Sequence, residues 1–78
     1  MIQGINKAFN ILEFIANDPG KEYSLTEISD SLKFQRNTCA NILKTLVSRG
    51  YVDQPKPKGG YKLGEMLYQL TDANKKYT

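Results

Sequence analysis

The chain has no histidine and a single cysteine in 78 residues. One cysteine excludes an internal disulfide framework, and the lack of histidine removes the usual ligand set of a zinc finger. Catalysis finds no foothold either, because there is no histidine base, no metal-ligand cluster and no glycine-rich phosphate loop opening a helix. Gly59-Gly60 follows Pro57-Lys58 and precedes a strand-like segment, which is the wrong context for such a loop. We therefore expect no enzyme, no cofactor and no metal site. No stretch approaches the roughly 18–20 apolar residues of a membrane helix. The first residues lack the basic start and continuous apolar run of a signal peptide. The expectation is a soluble, cytoplasmic protein that does not engage the membrane.

A chain of this length fits one small domain, large enough for a single core without staples but only just. Its net charge of +3 is unevenly spread. Residues 1–32 carry two lysines against five acids, residues 33–62 carry seven Lys or Arg against the single acid Asp53, and residues 63–78 balance. A cationic block confined to one part of the chain points to a polyanionic partner.

That block contains the stretch around which the chain is organised. In residues 35–51 the apolar side chains Cys39, Ile42, Leu43, Leu46 and Val47 follow helical spacing. The opposite side carries Arg36, Asn37, Ala40, Asn41, Lys44 and Ser48, without an acid. Gly50 is a natural left-handed stop, and Arg49 suits the negative end of the helix dipole. Small, polar and cationic side chains of this kind reach base edges and phosphates in a DNA major groove.

Taken in order, residues 1–17 read as a first helix. Ile5, Ala8, Phe9, Leu12, Ile15 and Ala16 form its stripe, and Ile11 and Phe14 widen it, so that either a small core wraps around the helix or a dimer contact or a second helix covers the surplus. Asp18-Pro19-Gly20 is a turn, and Lys21-Glu22-Tyr23 is a crossing segment with the character of a short strand. Ser24 and Glu27 have the spacing of a capping box, which opens a second helix with Leu25, Ile28 and Leu32 inward. Lys33-Phe34 is a tight turn, with Phe34 as an anchor between the second and third helices. Short helix, tight turn and longer helix make a helix-turn-helix. Tyr51–Gln54 and Tyr61–Leu63 then alternate as two short strands around a loop with two prolines, two glycines and two lysines, a basic wing. From Glu65 to about Lys76 the pattern is helical again, with Leu63, Met66, Leu67, Leu70 and Ala73 on one side and Tyr68 and Tyr77 flanking it. The fold class expected is mainly α with a small β-hairpin, a winged helix-turn-helix in the order helix-helix-helix-strand-strand-helix.

At this point the residues resemble the N-terminal DNA-binding domain of the IclR-type bacterial transcriptional regulators. The likeness runs from Asn6-Lys7-Ala8-Phe9-Asn10-Ile11-Leu12 through Ser24-Leu25-Thr26-Glu27-Ile28 and Thr38. It continues through Leu43-Lys44-Thr45-Leu46-Val47-Ser48-Arg49-Gly50-Tyr51-Val52 to Gly60-Tyr61-Lys62-Leu63-Gly64. It departs from the family at two places. Lys33-Phe34-Gln35 stands where Gly-Leu-Pro is frequent, a change the turn accommodates; Ala40-Asn41 stands where His-Arg is frequent, which alters the groove-facing surface, so the operator sequence of relatives does not carry over. The resemblance implies a DNA-binding domain at residues 1–64. It also implies a linker helix at 65–78, leading towards a C-terminal domain absent from this chain. A small-molecule effector is expected only where the native protein has that domain.

The expected function is sequence-specific binding of double-stranded DNA within a transcriptional regulator; the alternative is a winged-helix protein-interaction module that has lost DNA contact. The candidate contacts are Gln35, Arg36, Asn37 and Thr38 at the phosphate-favouring start of the third helix, Asn41 and Lys44 further along, and Lys56 and Lys58 on the wing. Cys39 reads as a small core residue, and Tyr51 and Tyr61 as packing between wing and helix. A homodimer is expected through Ile11, Phe14 and the C-terminal helix.

Overall fold

Three helices, α1 (Ile2–Ala16), α2 (Leu25–Leu32) and α3 (Arg36–Ser48), precede an antiparallel hairpin of β1 (Val52–Asp53) and β2 (Lys62–Leu63). The computed structural model describes residues 2–18, 20–67 and 69–70. Helical turns at residues 65–67 and 69–70 follow the hairpin. This is the expected winged helix-turn-helix order. Pro19, Tyr68, Ala73 and Tyr77 lie outside the described residues.

The second helix starts as its sequence requires. The Ser24 hydroxyl oxygen accepts from the Glu27 N–H at 3.0 Å, and Glu27 Oε1 accepts from the Ser24 N–H at 3.0 Å. This reciprocal box satisfies two of the amide groups that a helix start leaves open. The same helix ends in a Schellman arrangement: Lys33 N–H donates to the Asp30 carbonyl at 3.3 Å and Phe34 N–H to the Ser29 carbonyl at 2.9 Å. Lys33 takes the left-handed conformation there, with φ 60°. Helix α3 begins three residues after Lys33, at Arg36.

The core lies where the three helices and the hairpin base meet. Ile11 and Ile15 of α1, Ile28 of α2, Cys39, Leu43 and Leu46 of α3, Tyr23 and Val52 are its buried members. Leu25, Leu32, Phe34, Ile42 and Val47 pack around them half-buried. Fully burying each large aliphatic side chain stabilises by roughly 1.5–3 kcal/mol, so these few residues carry the domain. Ser29 is the buried polar residue, and its hydroxyl donates to the Thr26 carbonyl at 3.3 Å.

Helix α1 is rotated relative to the sequence expectation. Ile11 is fully buried and Phe14 is half-buried, with its ring 4.9 Å from that of Tyr23. Ile5 and Phe9, expected in the inward stripe, are 60% and 57% exposed, and Ala16 is exposed as well. The expected dimer contact through Ile11 and Phe14 is thereby corrected. The core wraps around those two side chains, and the surplus apolar surface belongs to the Ile5–Phe9 side.

Lys21-Glu22-Tyr23 contributes less strand than expected. Only Tyr23 pairs, bridging Tyr61 through two hydrogen bonds of 2.8 and 2.7 Å. That bridge fastens the base of the wing to the segment leading into α2.

Candidate nucleic-acid interface

The two helices of the helix-turn-helix begin differently. The start of α2 has a side-chain cap and the acid Glu27 in its first turn. The start of α3 has neither: Gln35 is the N-cap residue, its side chain makes no capping bond, and no acid lies in the first turn. Its carbonyl accepts from Cys39 N–H at 2.9 Å, which begins the helical ladder. The amide groups of the first turn thus keep their positive end open towards solvent.

At 3.6 residues per turn, Asn37, Asn41, Lys44 and Ser48 fall on the line opposite Cys39, Leu43 and Leu46. All four are exposed. Arg36 is exposed on one flank beside half-buried Ala40, and Thr38 is half-buried on the other flank, near exposed Thr45. Thr45 and Ser48 turn their hydroxyl donors onto their own helix, to the Asn41 carbonyl at 3.3 Å and the Thr45 carbonyl at 2.7 Å. The long polar side chains left to face outward are those of Arg36, Asn37, Asn41 and Lys44. Of the sequence candidates, Gln35 lies just before the helix rather than in its first turn, and Thr38 is turned partly inward.

Lys56 and Lys58 lie on the exposed tip of the wing. The tip is a tight turn closed by Gly59 N–H donating to the Lys56 carbonyl at 2.9 Å. Pro57 takes its second position and Lys58, at φ 61°, its third, the pattern of a type II turn. Gln54 Nε2 donates to the Gly59 carbonyl at 3.0 Å and braces the loop from inside. Nothing in the spacing of the sequence marks Gln54 for that role. A groove of about 600 Å³ separates the wing from the start of α2, with Ser24, Thr26, Gln54, Lys58 and Tyr61 on its walls.

The charges of this region are unspent. Among the described residues the one ion pair joins Lys21 to Glu27 at 3.7 Å. None of the seven cations in residues 33–62 takes part in an ion pair. The Glu27 carboxyl is held below its ordinary range by the hydrogen bond from the Ser24 amide, with the Lys21 charge adding to it. Burial pushes the Cys39 thiol upward. No group of His, Cys, Asp and Glu side chains among the described residues is arranged to hold a metal ion. No helix among them is long and apolar enough to cross a membrane.

Three helices, a braced wing and an open, acid-free third helix define a winged helix-turn-helix domain. Residues 4–56 match the IclR helix-turn-helix domain, and the chain belongs to that family. It is similar to the HTH-type transcriptional regulator XynR of Escherichia coli strain K12, at 35% identity over 69 residues, covering 88% of this chain and 27% of that protein. It is similar as well to the glycerol operon regulatory protein of Streptomyces coelicolor, at 33% identity over 69 residues, covering 88% of this chain and 27% of that one. In three dimensions it resembles an IclR transcriptional regulator from Alicyclobacillus acidocaldarius, with a TM-score of 0.81 and 26% identity, covering 92% of this chain and 29% of that structure. The chain spans little more than a quarter of the length of the curated relatives it matches.

Proposed function

We propose that this domain binds duplex DNA sequence-specifically, with α3 in the major groove and the wing along the sugar-phosphate backbone, as the DNA-reading part of a bacterial transcriptional regulator. The observation that carries this reading is the outward line of α3, exposed, free of acid and begun by an uncapped turn. A surface meant only for water would gain from a cap and an acid there, as α2 does. In this reading Gln35 at the cap position and Arg36, Asn37 and Thr38 in the first turn take a phosphate or its neighbouring sugar. Asn41 reads an adenine edge, and Lys44 reaches guanine or phosphate. Lys56 and Lys58 hold phosphates from the wing. No observation favours the alternative of a protein-interaction module.

Assembly follows from the exposed apolar surface. Ile5, Phe9, Leu12, Tyr51, Leu67 and Leu70 line a groove of about 420 Å³, with Leu70 itself 53% exposed. We infer that a second copy covers it, giving a homodimer whose two α3 helices lie about 34 Å apart or a multiple of that, on a roughly palindromic site. Residues 1–64 would form the DNA-binding unit and the segment from Glu65 onward a linker; most of that segment lies outside the described residues. A small-molecule effector belongs to this scheme only if the native protein has a further C-terminal domain. The setting would be the cytoplasm.

The test is fluorescence anisotropy of labelled duplexes at rising salt, with the wild-type domain and its Arg36→Ala and Lys44→Ala variants. Each variant is expected to fold normally and to bind more weakly, by roughly 1–3 kcal/mol where the lost contact is bidentate to a base. Unchanged affinity in both would remove α3 from the interface.

A further inference from the structure

The non-glycine residues with positive φ among the described residues are Lys33 (φ 60°) and Lys58 (φ 61°). For a residue with a β-carbon this left-handed region is disfavoured, and when side chains do enter it they are more often Asn, Asp or His. Both positions are ones that glycine would fill more comfortably. Lys33 is the residue just past α2 in a Schellman cap, and Lys58 is the third residue of a type II turn.

Both conformations are over-determined by the backbone around them. At Lys33 the amide bonds of residues 33 and 34 reach back to Asp30 and Ser29 at 3.3 and 2.9 Å. At Lys58 the Gly59 amide closes on Lys56 at 2.9 Å, and Gln54 holds the Gly59 carbonyl at 3.0 Å. The strain is therefore fixed, and a side chain that endures it needs a reason. Neither lysine forms an ion pair, and both are exposed. They share an acid-poor block, and Lys33 stands three residues ahead of Arg36 at the open end of α3.

We infer that Lys33 is a further contact to the DNA phosphate backbone, and that at both turns a cation is kept in a glycine position because its charge serves the bound state rather than the fold. The inference rests on the DNA-binding reading above and adds to it a residue of the helix-helix turn. Lys33 complements the first turn of α3 from outside the helix. It brings a positive charge to the phosphate that the uncapped amide groups already favour.

The experiment pairs thermal unfolding with a salt titration of binding to a 30-base-pair duplex of arbitrary sequence. It uses wild type, Lys33→Gly, Lys33→Gln, Lys33→Arg, Lys58→Gly and the double glycine variant. Both glycine variants are expected to melt a few degrees higher, because glycine relieves the left-handed strain. The slope of log K against log salt is expected to flatten by up to about 0.9 per protomer in each, and by about twice that in the double variant. Lys33→Gln is expected to flatten the slope without the gain in melting temperature, and Lys33→Arg to keep the slope. A flattened slope in Lys58→Gly but not in Lys33→Gly would leave the DNA reading standing and overturn the role of Lys33. So would a Lys33→Gly domain no more stable than wild type. A wild-type domain with no salt-dependent binding would end the DNA reading and this inference together.

Discussion

The α-carbon of Gly64 lies against the carbonyl of Gly50, so closely that any side chain at position 64 would overlap that oxygen. The same carbonyl accepts from Met66 N–H at 3.1 Å, while Gly64 N–H donates to the Tyr51 carbonyl at 2.9 Å. Gly50 itself is left-handed, at φ 84°. One pair of glycines therefore joins the exit of α3 to the exit of the wing and sets where the last helical turn begins. Gly64→Ala should destabilise the domain by about 1–3 kcal/mol through overpacking. Gly4→Ala, in α1 with nothing near its missing β-carbon, should stabilise it by roughly 0.5–1 kcal/mol. Urea unfolding of the two variants checks both signs, and equal midpoints would contradict the account of the junction.

Acid should weaken the start of α2. The folded-state pKa of Glu27 is lowered, chiefly by the Ser24 amide. A carboxylate of that kind contributes stability above its unfolded pKa and loses it as pH falls through the folded value. The melting temperature should therefore drop on acidification below the usual carboxylate range of about 4. In Glu27→Gln that part of the drop should be missing. Identical pH profiles for the two proteins would show that the box contributes nothing in solution.

Much of this was legible in the sequence because it is local. The box of Ser24 and Glu27, the stop at Gly50, the period of Cys39, Leu43 and Leu46, and the change to alternation after Tyr51 are short-range patterns with short-range causes. The rotation of α1 was not legible. Its apolar residues cover more than half the helix circumference, so periodicity alone cannot say whether Ile11 or Phe9 faces the core. That is decided by Tyr23 and Val52, which arrive from elsewhere in the chain. The strain at Lys33 and Lys58 was hidden for the opposite reason, since a lysine in a loop reads as ordinary solvation. The brace from Gln54 depends on the shape of a turn that sequence spacing does not reveal.

The corrected face of α1 separates stability from assembly. Ile11→Ala removes a fully buried side chain and should cost about 2–5 kcal/mol, with any loss of assembly following from unfolding. Phe9→Glu should leave the melting temperature nearly unchanged and abolish self-association in sedimentation experiments at rising concentration, with and without DNA. A Phe9→Glu protein that still dimerises would assign the contact to another surface.

Cys39 offers a probe of the core beneath α3. It is fully buried and its thiol pKa is raised, and thiolate is the reactive form. Reaction with an excess of a disulfide reagent should be slow in native buffer and rise with urea in step with unfolding. Rapid modification of the native protein would contradict the inward placement of that side of the helix.

Everything proposed for this domain turns on base-edge reading by the outward line of α3. That reading is tested most directly by selecting bound sequences from a random duplex library, in parallel for the wild type, Asn41→Ala and Lys44→Ala. The account predicts an enriched, roughly palindromic motif for wild type. Each variant should relax the preference at particular positions and weaken binding to the wild-type motif by roughly 1–3 kcal/mol per lost base contact. The same motif at the same affinity for all three proteins, or no enrichment with wild type, would contradict it.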